Sequence, residues 1–154
     1  MRWFEDFHEG QEIDLGQVRV EEAEVLEFAR RYDPQPFHTD PVAAADGPFG
    51  GLIASGWHTA ALYMRRYVDV VLSDAASMGS PGMELLRWEK PVRPGTTLHC
   101  RLTVLAATPS ERHPARGTLR LRSEAFDDDG DRVLVFEGRG LFGRRPVDDD
   151  PQRA

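Results

Sequence analysis

The sequence predicts an α+β domain in which an antiparallel sheet wraps around one long helix. Two observations carry this prediction. A long, strongly apolar helical segment lies near the middle of the chain, and four strand-like segments separated by turn residues follow it. Strands that succeed one another through short turns form antiparallel sheets, and an apolar helix must be covered by other elements. At 154 residues, the chain is long enough for one such domain and too short for two.

The elements before the long helix are short. Segment 11–20 alternates apolar and polar residues and is predicted to be a strand or an extended arm. Segment 21–31 repeats apolar residues at helical spacing. This helix should end before Asp33, because a residue that precedes proline disfavours the α conformation. Thr39 or Asp40 can then cap a second, short helix.

The long helix is predicted over about 57–74, with Ser55 as its cap and a glycine-rich loop before it. Its first turns are apolar almost all round, which predicts burial in the core. The strands that follow are predicted at 84–92, 97–107, 117–126 and 133–142. The turn 127–130 should join the last two strands as a hairpin. The domain then spans 1–143, and the charged segment 144–154 is predicted to be a disordered tail.

The charge and hydropathy of the chain exclude several classes of protein. A net charge of -7 argues against a nucleic-acid surface, which requires a basic face. The most apolar segment, 57–72, contains Arg65, Arg66 and Asp69 and is therefore unsuited to span a bilayer. The N-terminus lacks the basic and then apolar layout of a signal peptide. We therefore expect a cytoplasmic protein that does not associate with membranes.

The single cysteine and the acidic residues do not predict a metal site. Cys100 alternates with Leu98 and Leu102 on the inward face of a strand, which predicts a buried structural thiol in a reducing compartment. The acidic run 127–131 begins like a calcium loop, but its twelfth position is Gly138 where a bidentate glutamate is needed. No histidine pattern is typical of zinc, so no metal is expected.

The strongest functional signal is the run Asp33-Pro34-Gln35-Pro36-Phe37-His38, which places a carboxylate and an imidazole on one loop stiffened by two prolines. Each residue alone has an ordinary explanation as a helix stop or a buried loop histidine. Together, an acid and a base at fixed separation can move protons to and from a substrate. Gly56, at the start of the long helix, adds unsatisfied N–H donors and a positive dipole end. These features predict an active site.

The same run, followed by the glycine-bearing segment that ends in Gly56, resembles the MaoC-like dehydratases, which include the (R)-specific enoyl-CoA hydratases. Their signature, Asp-x-Asn-Pro-x-His, is matched by Asp33, Pro36 and His38 at the same spacing. The resemblance covers nearly the whole domain and implies the hotdog fold, a curved antiparallel sheet around one long helix. It also implies a homodimer or an assembly of dimers, with the pocket at the subunit interface.

The resemblance further implies a reaction. Asp33 and His38 would hold and activate the water that adds to C3 of a 2-enoyl thioester, or that leaves in the reverse direction. The backbone N–H of Gly56 would bind the thioester oxygen. The substrate would be an acyl-CoA or acyl-carrier-protein thioester, without a further cofactor. Other candidates for substrate binding are Ser55, Phe37, Ile53, Trp57 and Tyr63.

The chain departs from this family at two positions, and two other functions stay open. Gln35 replaces the signature asparagine, and Met64 stands where hydratases often carry a helix serine bonded to the catalytic aspartate. A hotdog thioesterase would place its acid on or near the long helix, where the first acid is Asp69, about three turns from the start. A non-catalytic acyl-binding subunit of a heterodimer is the third hypothesis.

Overall fold

The computed structural model describes residues 1–146 and has one five-stranded antiparallel sheet wrapped around a long helix. This architecture confirms the predicted α+β hotdog fold. The order of strands across the sheet is β1-β3-β4-β5-β2. The strands are β1 (Glu12–Arg19), β2 (Gly82–Trp88), β3 (Thr97–Pro109), β4 (Arg116–Phe126) and β5 (Arg132–Gly143).

The helices are short except for the central one. They are α1 (Glu22–Tyr32), α2 (Pro36–Thr39), α3 (Pro41–Ala45) and α4 (Gly56–Val70). The long helix was predicted to reach residue 74, but α4 ends at Val70 and a 3-10 turn follows at Leu72–Asp74. Val71 leaves the helical conformation, with φ -123° and ψ -58°. No helix within residues 1–146 is long and apolar enough to span a bilayer.

The predicted loop between the first two helices contains a helical turn of its own. Helix α2 starts at Pro36, whose fixed φ suits the first position of a helix. The backbone N–H of His38 donates to the Gln35 carbonyl at 2.9 Å, so His38 is held by the turn. Asp40 caps α3 as predicted, because its Oδ1 accepts from the backbone N–H groups of Val42 and Ala43.

The sheet confirms the predicted hairpin and shows that the first segment is a strand. Phe126 lies opposite Arg132 across the turn between β4 and β5. Strand β1 pairs antiparallel with β3 along its length, so it is an edge strand of the sheet. Cys100 is buried on the inward face of β3, as expected. Burial raises the pKa of its thiol to about 12, which agrees with a structural role.

Helix α4 packs against the sheet with one face only. His58, Thr59, Tyr63 and Tyr67 are buried, whereas Trp57 is 56% exposed. Three further residues, Ala61, Met64 and Val68, continue that exposed face at helical spacing. The prediction that this helix is buried all round is therefore wrong for the single chain. The sheet curves around one side of α4 and leaves an apolar stripe, formed by Trp57, Ala61, Met64 and Val68, in contact with solvent.

The start of the predicted tail contacts the N-terminus. Arg144 Nε donates to Glu5 at 2.8 Å, and Arg145 pairs with Asp6 at 2.8 Å. These ion pairs hold Arg144 and Arg145 against the 3-10 turn at Phe4–Asp6. The rest of the predicted tail, residues 147–154, lies outside the described residues.

His58 is a buried histidine whose environment favours the neutral ring. Its side chain stacks on Phe28 with ring centroids 4.9 Å apart. Within residues 1–146, its Nδ1 has no hydrogen-bond partner. Burial lowers the pKa of His58 below its ordinary value of 6.5, and the nearby Glu24 carboxylate offsets part of that effect.

This environment predicts that His58 weakens the fold at acidic pH. The unfolded chain binds a proton at this residue near pH 6.5, whereas the folded chain resists it, so stability falls as the pH drops below that value. We expect His58→Leu to flatten the pH dependence of the free energy of unfolding below pH 6.5, measured by urea denaturation. The same substitution at the exposed His99 serves as the control. An identical slope in the His58 variant and the wild type would contradict this prediction.

Candidate active site

A cavity of about 430 Å³ lies at the N-terminal end of α4 and brings together most of the predicted site residues. Its walls come from the end of α1, from α2, from the segment that enters α4, and from the residues at and after the end of β2. Six of the predicted residues line it: Asp33, Phe37, His38, Ile53, Gly56 and Trp57. Two others, Ser55 and Tyr63, do not line it, and Ser55 is fully buried behind the cavity wall.

The ring of His38 has a defined tautomer. Its Nδ1 lies 2.8 Å from the backbone carbonyl oxygen of Ile53. A carbonyl oxygen only accepts hydrogen bonds, so Nδ1 carries the proton in this contact. The other nitrogen, Nε2, lies 3.3 Å from Oδ2 of Asp33. In neutral His38, Nε2 therefore holds a free lone pair beside the carboxylate and can accept a proton.

Asp33 directly follows α1, and both of its carboxylate oxygens accept hydrogen bonds. Gln35 Nε2 donates to Oδ1 at 2.7 Å, and Ser55 Oγ donates to Oδ2 at 2.7 Å. Burial alone would raise the pKa of Asp33. The hydrogen bonds from Gln35 and Ser55, together with the nearby His38 ring, outweigh burial and hold the pKa below its ordinary value. The side chain is therefore an ionised carboxylate near neutral pH.

The structure shows the surroundings of the two residues, Gln35 and Met64, that differ from the family pattern. The longer amide of Gln35 folds back onto Asp33. Met64 is exposed on α4 and lines a separate, smaller cavity further along the helix. The hydroxyl donor to Asp33 comes from Ser55 instead. Ser55 occupies the N-cap position of α4, but within residues 1–146 its side chain makes no capping bond, so the predicted capping role is wrong.

Backbone hydrogen bonds fix the segment that enters α4. Ile53 N–H donates to the Phe37 carbonyl at 3.0 Å, and Ala54 N–H donates to the Val92 carbonyl at 2.8 Å. The segment is thus held between α2 on one side and the chain after β2 on the other. As a result, α4 begins at a fixed position in the cavity wall. The first N–H groups of any helix have no intrahelical acceptor, and those of α4 lie at this wall.

Gly56, the first residue of α4, lies directly under the indole ring of Trp88. Trp88 Nε1 donates to the Gly56 carbonyl at 2.8 Å. A Cβ atom on Gly56 would lie 2.5 to 2.7 Å from three atoms of that ring, which is closer than carbon atoms pack. Trp57 packs edge-on against Trp88, with ring centroids 4.9 Å apart. Glycine is therefore the residue that fits beneath Trp88.

Several cavity residues carried no recognisable signal in the sequence. Trp88, Lys90 and Val92 reach the cavity because β2 pairs with β5 across the sheet, a contact between distant parts of the chain. Lys90 Nζ contacts Asp131 at 2.8 Å, which ties the cavity rim to the acidic hairpin turn. Tyr63, predicted as an acyl-pocket residue, lies in the core, where its hydroxyl donates to the Arg101 carbonyl.

A hotdog fold that carries an aspartate, a histidine and a helix N-terminus in one cavity defines a class of protein suited to acid–base chemistry on a bound substrate. Comparison with known families makes this assignment specific. The chain belongs to the MaoC-like family of dehydratases and hydratases, because the family model described as MaoC like domain matches residues 6–123.

The chain is also similar to individual proteins, among them two solved structures and one curated relative. The crystal structure of the MaoC-like dehydratase from Rhodospirillum rubrum is 42% identical, with a TM-score of 0.87 over 96% of this chain and 100% of that one. The R-hydratase PhaJ1 from Pseudomonas aeruginosa is 25% identical, with a TM-score of 0.76 over 93% of this chain and 86% of that one. The uncharacterized protein YdeM from Bacillus subtilis (strain 168) is 27% identical over 87% of this chain and 92% of its own length.

Proposed function

We propose that the protein is a hydro-lyase that adds water to the C2–C3 double bond of a 2-enoyl thioester, or removes it from a 3-hydroxyacyl thioester. The observation that carries this proposal is the Asp33–His38 pair, 3.3 Å apart, in a cavity that also contains the start of α4. The likeness to the R-hydratase PhaJ1 supports it.

The proposed hydration starts with a water molecule held between Oδ2 of Asp33 and Nε2 of His38. Neutral His38 accepts a proton from this water while the oxygen of the water bonds to C3. The π electrons of the double bond move toward the thioester carbonyl and give an enolate. His38 then returns the proton to C2, so the product contains all the atoms of the water. Dehydration follows the same steps in reverse.

The enolate oxygen is proposed to bind at the N-terminus of α4. The Gly56 N–H and the positive end of the helix dipole favour negative charge at this place. A preorganised donor of this kind contributes about 3 kcal/mol in the transition state. Phe37, Ile53 and Trp57 supply apolar walls around the acyl group. The proton transfers use side chains of the chain itself, so the reaction as proposed requires no metal or resident cofactor.

The substrate carrier and the assembly are also part of the proposal. The thioester is one of coenzyme A or of an acyl carrier protein, and the predicted cytoplasmic location suits either carrier. A second copy of the chain would cover the apolar stripe of α4, which is exposed in the single chain and starts at Trp57, a residue of the cavity wall. A homodimer with the cavity near its interface would therefore explain why apolar residues stand on the exposed face of α4.

A screen of enoyl thioesters tests the reaction. Purified protein is incubated with crotonyl-CoA and with longer and branched 2-enoyl-CoAs, and products are identified by mass spectrometry. We expect loss of the conjugated double bond and a product heavier by one water. Release of free CoA without hydrated product would support a thioesterase. Activity that appears only after a second hotdog chain is added would support a non-catalytic subunit.

The thioesterase hypothesis has weaker support from the site. Its candidate acid, Asp69, lies near the other end of α4 from Gly56, about 20 Å away at 1.5 Å per residue. Its carboxylate pairs with Arg65 at 3.0 Å and with Arg66 at 3.4 Å. This residue is therefore engaged in surface ion pairs, whereas Asp33 faces the cavity.

A further inference from the structure

Ser55 makes a contact that neither helix capping nor substrate binding explains. Its side chain is fully buried behind the cavity wall, and its hydroxyl donates to Oδ2 of Asp33 at 2.7 Å. Oδ2 is also the oxygen that faces His38 Nε2. The backbone of Ser55 is held in turn, because its carbonyl accepts from Thr59 N–H at 3.0 Å. The hydroxyl that contacts Asp33 is therefore carried by backbone that the first turn of α4 holds in place.

Gln35 completes the arrangement on the other oxygen. Its amide donates to Oδ1 of Asp33 at 2.7 Å from the more exposed side. We call the Ser55 hydroxyl and the Gln35 amide the Asp33 clamp. With one donor on each oxygen, the carboxylate plane cannot rotate without breaking a charge-assisted hydrogen bond. The buried member of the clamp is the stronger one, because water cannot replace its hydrogen bond.

We propose that Ser55 is a positioning residue, which aims Oδ2 of Asp33 at His38. This role rests on the proposed hydro-lyase function and deepens it. With Asp33 held as an anion, and with Nδ1 of His38 committed to the Ile53 carbonyl, Nε2 of His38 is the position at which a proton enters and leaves. Asp33 therefore stays an anion throughout the reaction, and His38 exchanges the proton.

The kinetic signature of Ser55→Ala separates positioning from substrate binding. We expect kcat to fall about tenfold, in the range of one hydrogen bond to a charged group, and KM to change by less than about twofold. Loss of the donor raises the pKa of Asp33, so the acidic limb of the kcat/KM profile moves to higher pH. Ser123→Ala is the matched control, because Ser123 is a buried serine on β4 outside this cavity.

An NMR titration tests the clamp without any substrate. The protein is labelled with ¹³C at aspartate carboxyl groups, and Asp33→Asn identifies the Asp33 resonance. We expect its titration to shift to higher pH in Ser55→Ala and to stay unchanged in Ser123→Ala. If Ser55→Ala does not fold, Ser55→Cys keeps the volume with a weaker donor and should give a smaller shift in the same direction.

The two readouts distinguish the inference from the function on which it rests. Absence of hydration by the wild-type protein would refute the proposed function, while the titration would still test the contact with Asp33. An Asp33 titration that is the same in the wild type and both Ser55 variants would overturn the positioning role, whatever the activity. A rise in KM at constant kcat would overturn it as well, and would indicate substrate binding by Ser55.

Discussion

Asp33→Asn and His38→Gln should each lower kcat/KM for hydration of an enoyl thioester by about a thousandfold, the middle of the range for a general acid or base. Asparagine keeps the shape of Asp33 and loses its charge. Glutamine keeps a polar side chain of similar length and loses the ability to exchange a proton at the position of Nε2. The measurement is steady-state kinetics with crotonyl-CoA or the best substrate of the screen.

The double variant and a surface control make this result specific. Residues that act as a unit show non-additive effects, so the Asp33→Asn, His38→Gln double variant should be about as slow as either single variant. His99→Gln changes an exposed histidine on β3 and should keep full activity. Circular dichroism of each variant confirms the fold. Unchanged turnover in both single variants would refute the assignment of this pair.

Gly56→Ala should reduce both stability and activity. The new Cβ would lie 2.5 to 2.7 Å from the ring of Trp88, so the indole or the helix start must move. Such overpacking lowers the free energy of unfolding by about 1–3 kcal/mol. Movement of the helix start also misplaces the proposed oxyanion donor, so we expect kcat to fall about a hundredfold. Urea denaturation and steady-state kinetics measure the two effects.

A double-mutant cycle with Trp88 shows whether the clash is the cause. Trp88→Ala removes the ring that the new methyl group would meet and also removes the hydrogen bond to the Gly56 carbonyl. Gly56→Ala should therefore cost less stability in the Trp88→Ala background than in the wild type. Equal losses in the two backgrounds would mean that the glycine is needed for a reason other than its contact with Trp88.

Local signals in the sequence were sufficient to predict four strands and to place Asp33 and His38 on one segment, although the strand predicted over 84–92 ends at Trp88. Alternation placed Cys100 on the inward face of β3, and the acidic run before Gly130 marked the hairpin. Asp33 and His38 are only five residues apart, so a stiff local segment brings them together. Such features depend on residues that are near one another in the chain, and they can be predicted from a single sequence.

Features that depend on long-range contacts could not be predicted. The hydroxyl of Ser55 turns away from the helix start because Asp33, 22 residues earlier, offers a charged acceptor. Trp88 reaches Gly56 only because β2 joins the far edge of the sheet. The apolar residues of α4 show that the helix must be buried, but they do not show whether the sheet or another chain buries each face. The exposure of Trp57 in the single chain could therefore not be predicted.

The identity of the product formed from crotonyl-CoA in isotopically labelled water tests the proposed reaction most directly. Addition at C3 predicts 3-hydroxybutyryl-CoA that carries the labelled oxygen on its hydroxyl group, formed by the wild type and nearly absent with Asp33→Asn. Labelled oxygen in a free carboxylic acid, with release of CoA, would instead show thioester hydrolysis. Equal formation of the hydroxyacyl product by the wild type and Asp33→Asn would also contradict the proposal.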